Sequence, residues 1–150
     1  MIDKTKELLT QTQVGKMHNA REYSPLALAY IGDAVYEVMI RTVVIGMGNA
    51  PVNRYHQATK NFVQAKSQAQ FYNHIKELFT EKEEDIFKRG RNAKSSSSAK
   101  NTDIITYRHA TGLEALIGYL YVEGDIGRIL ELMKYGLEKV EGGKNSGSSM

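Results

Sequence analysis

The chain reads as an all-α fold of about six or seven helices, and three observations predict it. Apolar residues recur at helical spacing through most of the 150 residues, helix-start signals precede several of those runs, and no stretch alternates in the manner of a strand. Two of the runs carry an acid among apolar neighbours, Asp33 in the first and Glu114 in the second. A helix with no polar face is normally buried at the centre of a domain, so Asp33 is expected in the core, where an unpaired carboxylate is costly.

Residues 1–23 mix charged and amide side chains around Leu8 and Leu9 and are read as an N-terminal arm, either a short helix or a loose segment. Ser24 can cap a helix and Pro25 suits its first turn, so LALAYIGDAVYE (Leu26 to Glu37) is helical from residue 25 and stops near Gly46 or Gly48. Glu37 and Arg41, four apart, are expected to pair on its surface. From Val52 to Ile75 apolar residues at Tyr55, Ala58, Phe62, Ala65, Ala69, Tyr72 and Ile75 predict one amphipathic helix, with Arg54, His56, Lys60 and Lys66 on its basic side. Thr80 and Glu83 form a capping box that starts a helix at Glu81, ending around Gly90.

TGLEALIGYLY (Thr111 to Tyr121) is the second apolar helix. Gly118 lies one turn beyond Glu114 on the same face, which allows the first helix to approach closely there. Glu123 and Gly124 break the chain, and Asp125 caps a last helix with Ile126, Ile129, Leu130, Met133, Leu137 and Val140 on its apolar side. GGKNSGSSM, from Gly142 to Met150, has the composition of a disordered tail, so the folded domain is placed at 24–140.

Twenty Lys and Arg against seventeen acids leave a net charge of only +3, too little to imply a nucleic-acid partner from the total. The distribution is more informative. Between Lys88 and His109 stand Lys88, Arg89, Arg91, Lys94, Lys100 and Arg108 against Asp103 alone, with four consecutive serines, Ser95 to Ser98, among them. That is a flexible basic loop, roughly 91–106, which composition alone assigns equally to a solubilising connector and to a phosphate-binding surface. With no cysteine there is no disulfide framework, thiolate nucleophile or zinc–thiolate site. MIDKTKELLT is no secretory leader, and Asp33, Glu37 and Arg41 interrupt the longest apolar region, so a cytoplasmic protein with no membrane span is expected.

Asp33 needs a compensating partner: a cation, a basic side chain or a metal ion. Two carboxylates on two packed helices are usual ligands for Mg²⁺, which keeps several waters and takes one or two carboxylates from a protein. From the residues alone a structural ion pair is the serious alternative.

YIGDAVYE followed far downstream by LEALIGYLY resembles the catalytic domain of ribonuclease III, and RGRNAK (Arg89 to Lys94), KNTD (Lys100 to Asp103) and YR (Tyr107, Arg108) resemble its mini-ribonuclease III branch. The resemblance covers about residues 24–140 and implies a Mg²⁺-dependent endoribonuclease that cuts double-stranded RNA as a homodimer, leaving 5′-phosphate ends. It implies Asp33 and Glu114 as catalytic and metal-binding residues, a large-subunit (23S) ribosomal RNA precursor stem as substrate, and RNA contact by Arg89, Arg91, Lys94, Lys100 and Arg108. The catalytic domain itself would then supply contacts to the phosphates and 2′-hydroxyls of the duplex.

The chain departs from the wider family where that family has further acids: Leu26 and Ala29 stand seven and four residues before Asp33, and Thr111 three before Glu114. Fewer acids mean fewer direct ligands and more metal-bound water, hence weaker Mg²⁺ binding. The same departures favour the alternative reading, a ribonuclease III-like domain that has lost catalysis and serves as an RNA-binding or ribosome-associated structural protein. Retention of both Asp33 and Glu114 on apolar helices argues for the enzyme.

Overall fold

The computed structural model of the chain describes positions 4, 7, 18–94 and 103–148. Among these residues the fold is all-α: after a 3₁₀ turn at Ala20–Glu22 come α1 (Pro25–Ile45), α2 (Val52–Val63), α3 (Ala65–Ile75), α4 (Glu81–Asn92), α5 (Ile104–Val122) and α6 (Ile126–Ser148), with a second 3₁₀ turn at Lys76–Leu78. No described helix is long and apolar enough to cross a membrane.

The start signals act as the sequence predicts. Ser24 accepts from Ala27 N at 3.1 Å with Pro25 at the first helical position of α1, and Asp125 Oδ1 accepts from Arg128 N at the start of α6. At α4 the capping box is reciprocal: Thr80 Oγ1 accepts from Glu83 N at 3.1 Å and Glu83 Oε1 from Thr80 N at 2.9 Å. Glu37 and Arg41 pair at 3.2 Å on the surface of α1.

The centre of the domain is α5, buried along most of its length, with α1, α4 and α3 packed around it. Leu113, Ala115 and Leu116 are fully buried there. Its closest partner is α1, and two glycines set the distance. A Cβ on Gly32 would stand 1.7 Å from the Glu114 carbonyl oxygen, and one on Gly118 would stand 1.9 Å from that of Leu28. The helices are therefore antiparallel with backbone against backbone, so Gly32 as well as the foreseen Gly118 makes the close approach. Glycines recur on the other flank of α5, where a Cβ on Gly90 of α4 would fall 2.6 Å from Ala115 Cβ and one on Gly112 2.7 Å from the Phe87 ring.

Five expectations are corrected. The single helix expected over Val52–Ile75 is two, because Gln64 is extended (φ −67°, ψ 151°). The carbonyl of Phe62, released at the break, accepts a hydrogen bond from Tyr36 Oη of α1 at 3.0 Å, and α3 turns to pack on α5 and α6. The basic loop is narrower than 91–106, since α4 runs to Asn92 and α5 is already capped at Asp103, whose carboxylate accepts from Thr106 N at 2.8 Å and Thr106 Oγ1 at 2.9 Å. Ser95 to Ser98 and Lys100 lie outside the described residues. In α6 Leu132 is buried and Leu130 is exposed. The backbone of α6 also continues helical to Ser148, across the segment whose composition predicts a disordered tail, because adding residues to an established helix costs far less than nucleating one. The fifth correction concerns Asp33 and is taken up with the site.

One tie between elements has no signature in the local sequence. Glu83, besides capping α4, receives Arg128 Nε and Nη2 from α6 at 2.8 Å each, while Nη2 also donates to the Leu78 carbonyl at 2.7 Å and Nη1 to Glu131 at 2.9 Å. Burial acts to raise the Glu83 pKa, but the Arg128 guanidinium and the Thr80 backbone outweigh it and hold the carboxyl below its ordinary value. Arg128→Ala is expected to lower stability by about 3 kcal/mol, because it strands a largely buried charge. In the wild type the contribution of Glu83 is present above its ordinary pKa and lost as pH falls through the depressed one. Urea unfolding at neutral and acid pH checks both: the gap between wild type and variant should narrow in acid.

Candidate active site

The apolar residues of α1 do encircle it, but one face is left uncovered. Tyr30, Val38 and Ile45 are 84%, 47% and 62% exposed on that face. Asp33 stands at its border and is exposed rather than buried in the core as the apolar run predicts. The physical reason is that α1 has core only on the side of Leu28, Gly32, Tyr36 and Ile40.

Glu114 projects from α5 at the same level, because Gly32, next to Asp33, lies against the Glu114 backbone. It is half-buried, and its side chain makes a hydrogen bond with Asp33. Burial first, then that hydrogen bond and the charge of Asp33, push the Glu114 carboxyl up to about 9. At neutral pH Glu114 is thus protonated in the metal-free protein, which is how two carboxyl groups in contact avoid mutual repulsion. A divalent cation between them would take the place of that proton.

Tyr36, one turn beyond Asp33, shares this environment. Burial, and then the charge of Glu114, raise its phenol, whose hydroxyl donates to the Phe62 carbonyl. The sequence reading gave it no role, although its position in YIGDAVYE, three residues after Asp33, is the signal that places it beside the pair.

Where the wider family has more acids, this chain offers no substitute ligand. Ala29 and Thr111 are buried, and Thr111 Oγ1 donates back to the Tyr107 carbonyl at 3.0 Å. Among the described residues no group of three or more His, Cys, Asp or Glu is arranged to hold a metal ion. A pair of carboxylates fits a hexahydrated-type cation such as Mg²⁺, which binds through one or two carboxylates and fills its remaining positions with water and substrate phosphate. It does not fit a cation that needs a complete protein cage.

The basic residues gather at one end of the bundle. Helix α4 runs antiparallel to α5: Lys82 Nζ lies 5.3 Å from the centre of the Tyr119 ring, and the Phe87 and His109 rings are 5.8 Å apart. The end of α4 therefore comes level with the beginning of α5. Arg89, Lys94 and Arg108 are exposed there, and Arg91, half-buried, donates from Nε to Asn92 Oδ1 at 3.1 Å. The fifth expected cation, Lys100, is outside the described residues. Arg108 stands six residues before Glu114 on α5.

Comparison with known proteins agrees with this architecture. The ribonuclease III domain family matches residues 26–125. The chain is 41% identical over 133 residues to the mini-ribonuclease 3 of a Thermoanaerobacter species, spanning 89% of this chain and 94% of that relative. It is 49% identical over 115 residues to the mini-ribonuclease 3 of Clostridium tetani, spanning 76% of each. The crystal structure of a Fusobacterium nucleatum protein superimposes with a TM-score of 0.71 at 31% identity, covering 76% of this chain and 93% of that one.

Proposed function

The chain belongs to the ribonuclease III family, in its mini-ribonuclease III branch, and is an endoribonuclease; from that premise we propose that it cuts double-stranded RNA with Mg²⁺ held by Asp33 and Glu114. The observation that carries the reading is the packing of α1 on α5 through Gly32 and Gly118, which brings these two carboxyl groups together, one from each helix. When bound, Mg²⁺ supplies an activated water and neutralises charge developing on the phosphodiester. The chain's own residues do the rest. Asp33 and Glu114 would hold the cation, with Glu114 in its deprotonated form. The Gly32–Gly118 seam fixes the distance between the two carboxylates, and Arg89, Arg91, Lys94, Lys100 and Arg108 hold the duplex by its phosphates. The substrate proposed is a large-subunit ribosomal RNA precursor stem, supported by the likeness to mini-ribonucleases 3. Incubating the pure protein with long double-stranded RNA, with and without Mg²⁺, tests the activity; 5′-phosphate ends formed only with the metal are expected, and an intact duplex would favour the inactive binding domain.

Phosphate holding by the basic end predicts a salt dependence. With about five phosphates contacted, log affinity should fall against log salt with a slope of roughly −4. Arg91→Ala with Lys94→Ala should flatten that slope and weaken all duplexes alike, whereas an unchanged slope would make the segment a mere connector.

The uncovered apolar face of α1 supports a homodimer, since Tyr30, Ala34, Val38 and Ile45 form one stripe along the helix. Val38→Glu is expected to yield a folded monomer by light scattering. A wild-type protein that is itself monomeric at micromolar concentration would refute the assignment of this face.

A further inference from the structure

The cations at the basic end can hold phosphates, but phosphates are common to RNA and DNA and do not distinguish ribose from deoxyribose. His109 on α5 is placed to do so. It stands next to the exposed Arg108, and its half-buried ring is tilted against Phe87 at 5.8 Å and against Tyr72 at 5.6 Å. The field of Arg91 also reaches the Tyr72 phenol, so His109 and that cation share a neighbour.

One hydrogen bond fixes what the ring can recognise. Nδ1 stands 2.8 Å from the Ile105 carbonyl oxygen, which can only accept, so Nδ1 carries the proton and donates. In the neutral imidazole Nε2 is then a bare acceptor. It has no partner among the described residues and is not enclosed by them, since the buried side-chain polar atoms left without one there are Gln68 Nε2 and the Tyr119 hydroxyl. The other polar groups of this end are of a different kind. Arg89, Lys94 and Arg108 only donate, Asn92 Oδ1 already accepts from Arg91 Nε, and both Asp103 carboxylate oxygens accept from Thr106. An ionised phosphate offers no proton to a bare acceptor. A ribose 2′-hydroxyl does, and DNA lacks it.

We propose that His109 is a specificity-determining residue, with Nε2 accepting a hydrogen bond from a 2′-hydroxyl of the bound duplex while the cations hold its phosphates. This contact rests on double-stranded RNA as the substrate and deepens that reading. It requires a proton on the 2′ group, which separates it from recognition of A-form shape, since a 2′-fluoro duplex keeps the shape and lacks the proton.

The test compares binding of an RNA duplex and a 2′-fluoro duplex of the same sequence, in chelator so that nothing is cut, and at about pH 8, where imidazole is neutral. The full wild-type chain is expected to hold the RNA duplex about 3- to 10-fold tighter, the worth of one hydrogen bond. His109→Phe keeps a ring against Phe87 and Tyr72 and should bind both duplexes alike, with the salt slope of the wild type, because no cation has been removed. A second readout needs no variant: in histidine-labelled wild type the His109 Nε2 resonance should move on addition of the RNA duplex and stay in place with the 2′-fluoro duplex. Binding of neither duplex would overturn the double-stranded RNA reading and this proposal with it. Equal binding of both by the wild type, an undiminished preference in His109→Phe, or an Nε2 resonance that responds to both duplexes alike would overturn the proposal alone.

Discussion

Asp33→Asn and Glu114→Gln are each expected to abolish cleavage of double-stranded RNA while duplex binding persists, because the amides keep size and remove the charge that holds the metal. Their effects on stability should differ from those of ordinary core lesions. Glu114 is raised on folding from 4.5 to about 9. A raised carboxyl stabilises the fold in its protonated form, and that advantage is fully present below pH 4.5 and lost as pH climbs through about 9. Metal-free wild type should therefore lose stability across this window, whereas Glu114→Gln, with nothing to ionise, should not share the loss. Melting temperatures in chelator at about pH 5 and about pH 9 read the difference. A Glu114→Gln protein that still cuts at the wild-type rate would sink the metal assignment. A wild type that never cuts, paired with variants that melt far lower, would make the two acids structural.

Gly32→Ala is expected to be the most damaging single-methyl change in the chain. Its Cβ would stand 1.7 Å from the Glu114 carbonyl oxygen and 2.8 Å from Gly118 N, both backbone atoms that no rotamer can move. The helices must separate, at a cost of about 3 kcal/mol or more. For a chain of this length that is a fall of at least about 6 °C in melting temperature. Separation also pulls Asp33 from Glu114, so cleavage should fall further than the unfolded fraction explains. Gly127→Ala is the control, because nothing lies within 4 Å of a Cβ there. A Gly32→Ala protein as stable as that control would refute the backbone-to-backbone seam.

The difference between these two glycines shows where local sequence reasoning runs out. Gly118 was legible because it shares a face with Glu114 one turn away, and helical periodicity relates positions on one element. Gly32 looks like a poor helix former until a second helix is placed against it. The cap residues Ser24, Thr80 and Asp125 were legible for the same local reason as Gly118: each bonds a backbone N–H within its own first turn. Asp103 does likewise, but it stood in a basic, serine-rich stretch and was read as a charge and as part of KNTD, not as a cap. The break at Gln64 had no local signal, since the apolar period runs through it unbroken and the Phe62 carbonyl finds its donor, Tyr36, twenty-six residues away.

The sequence by itself determined the helical class, most helix starts and the family, because these rest on spacing within a turn or on motifs in order. Only the tertiary structure decided that Asp33 lies at an open border while Glu114 is half-buried and protonated, and that Arg128 of α6 neutralises the cap of α4. Each of those depends on which surface of a helix meets another helix and which is left uncovered. An apolar residue on every side of α1 is compatible with burial or with an exposed association face, and the sequence carries no term that distinguishes them until the neighbouring helices have taken their places.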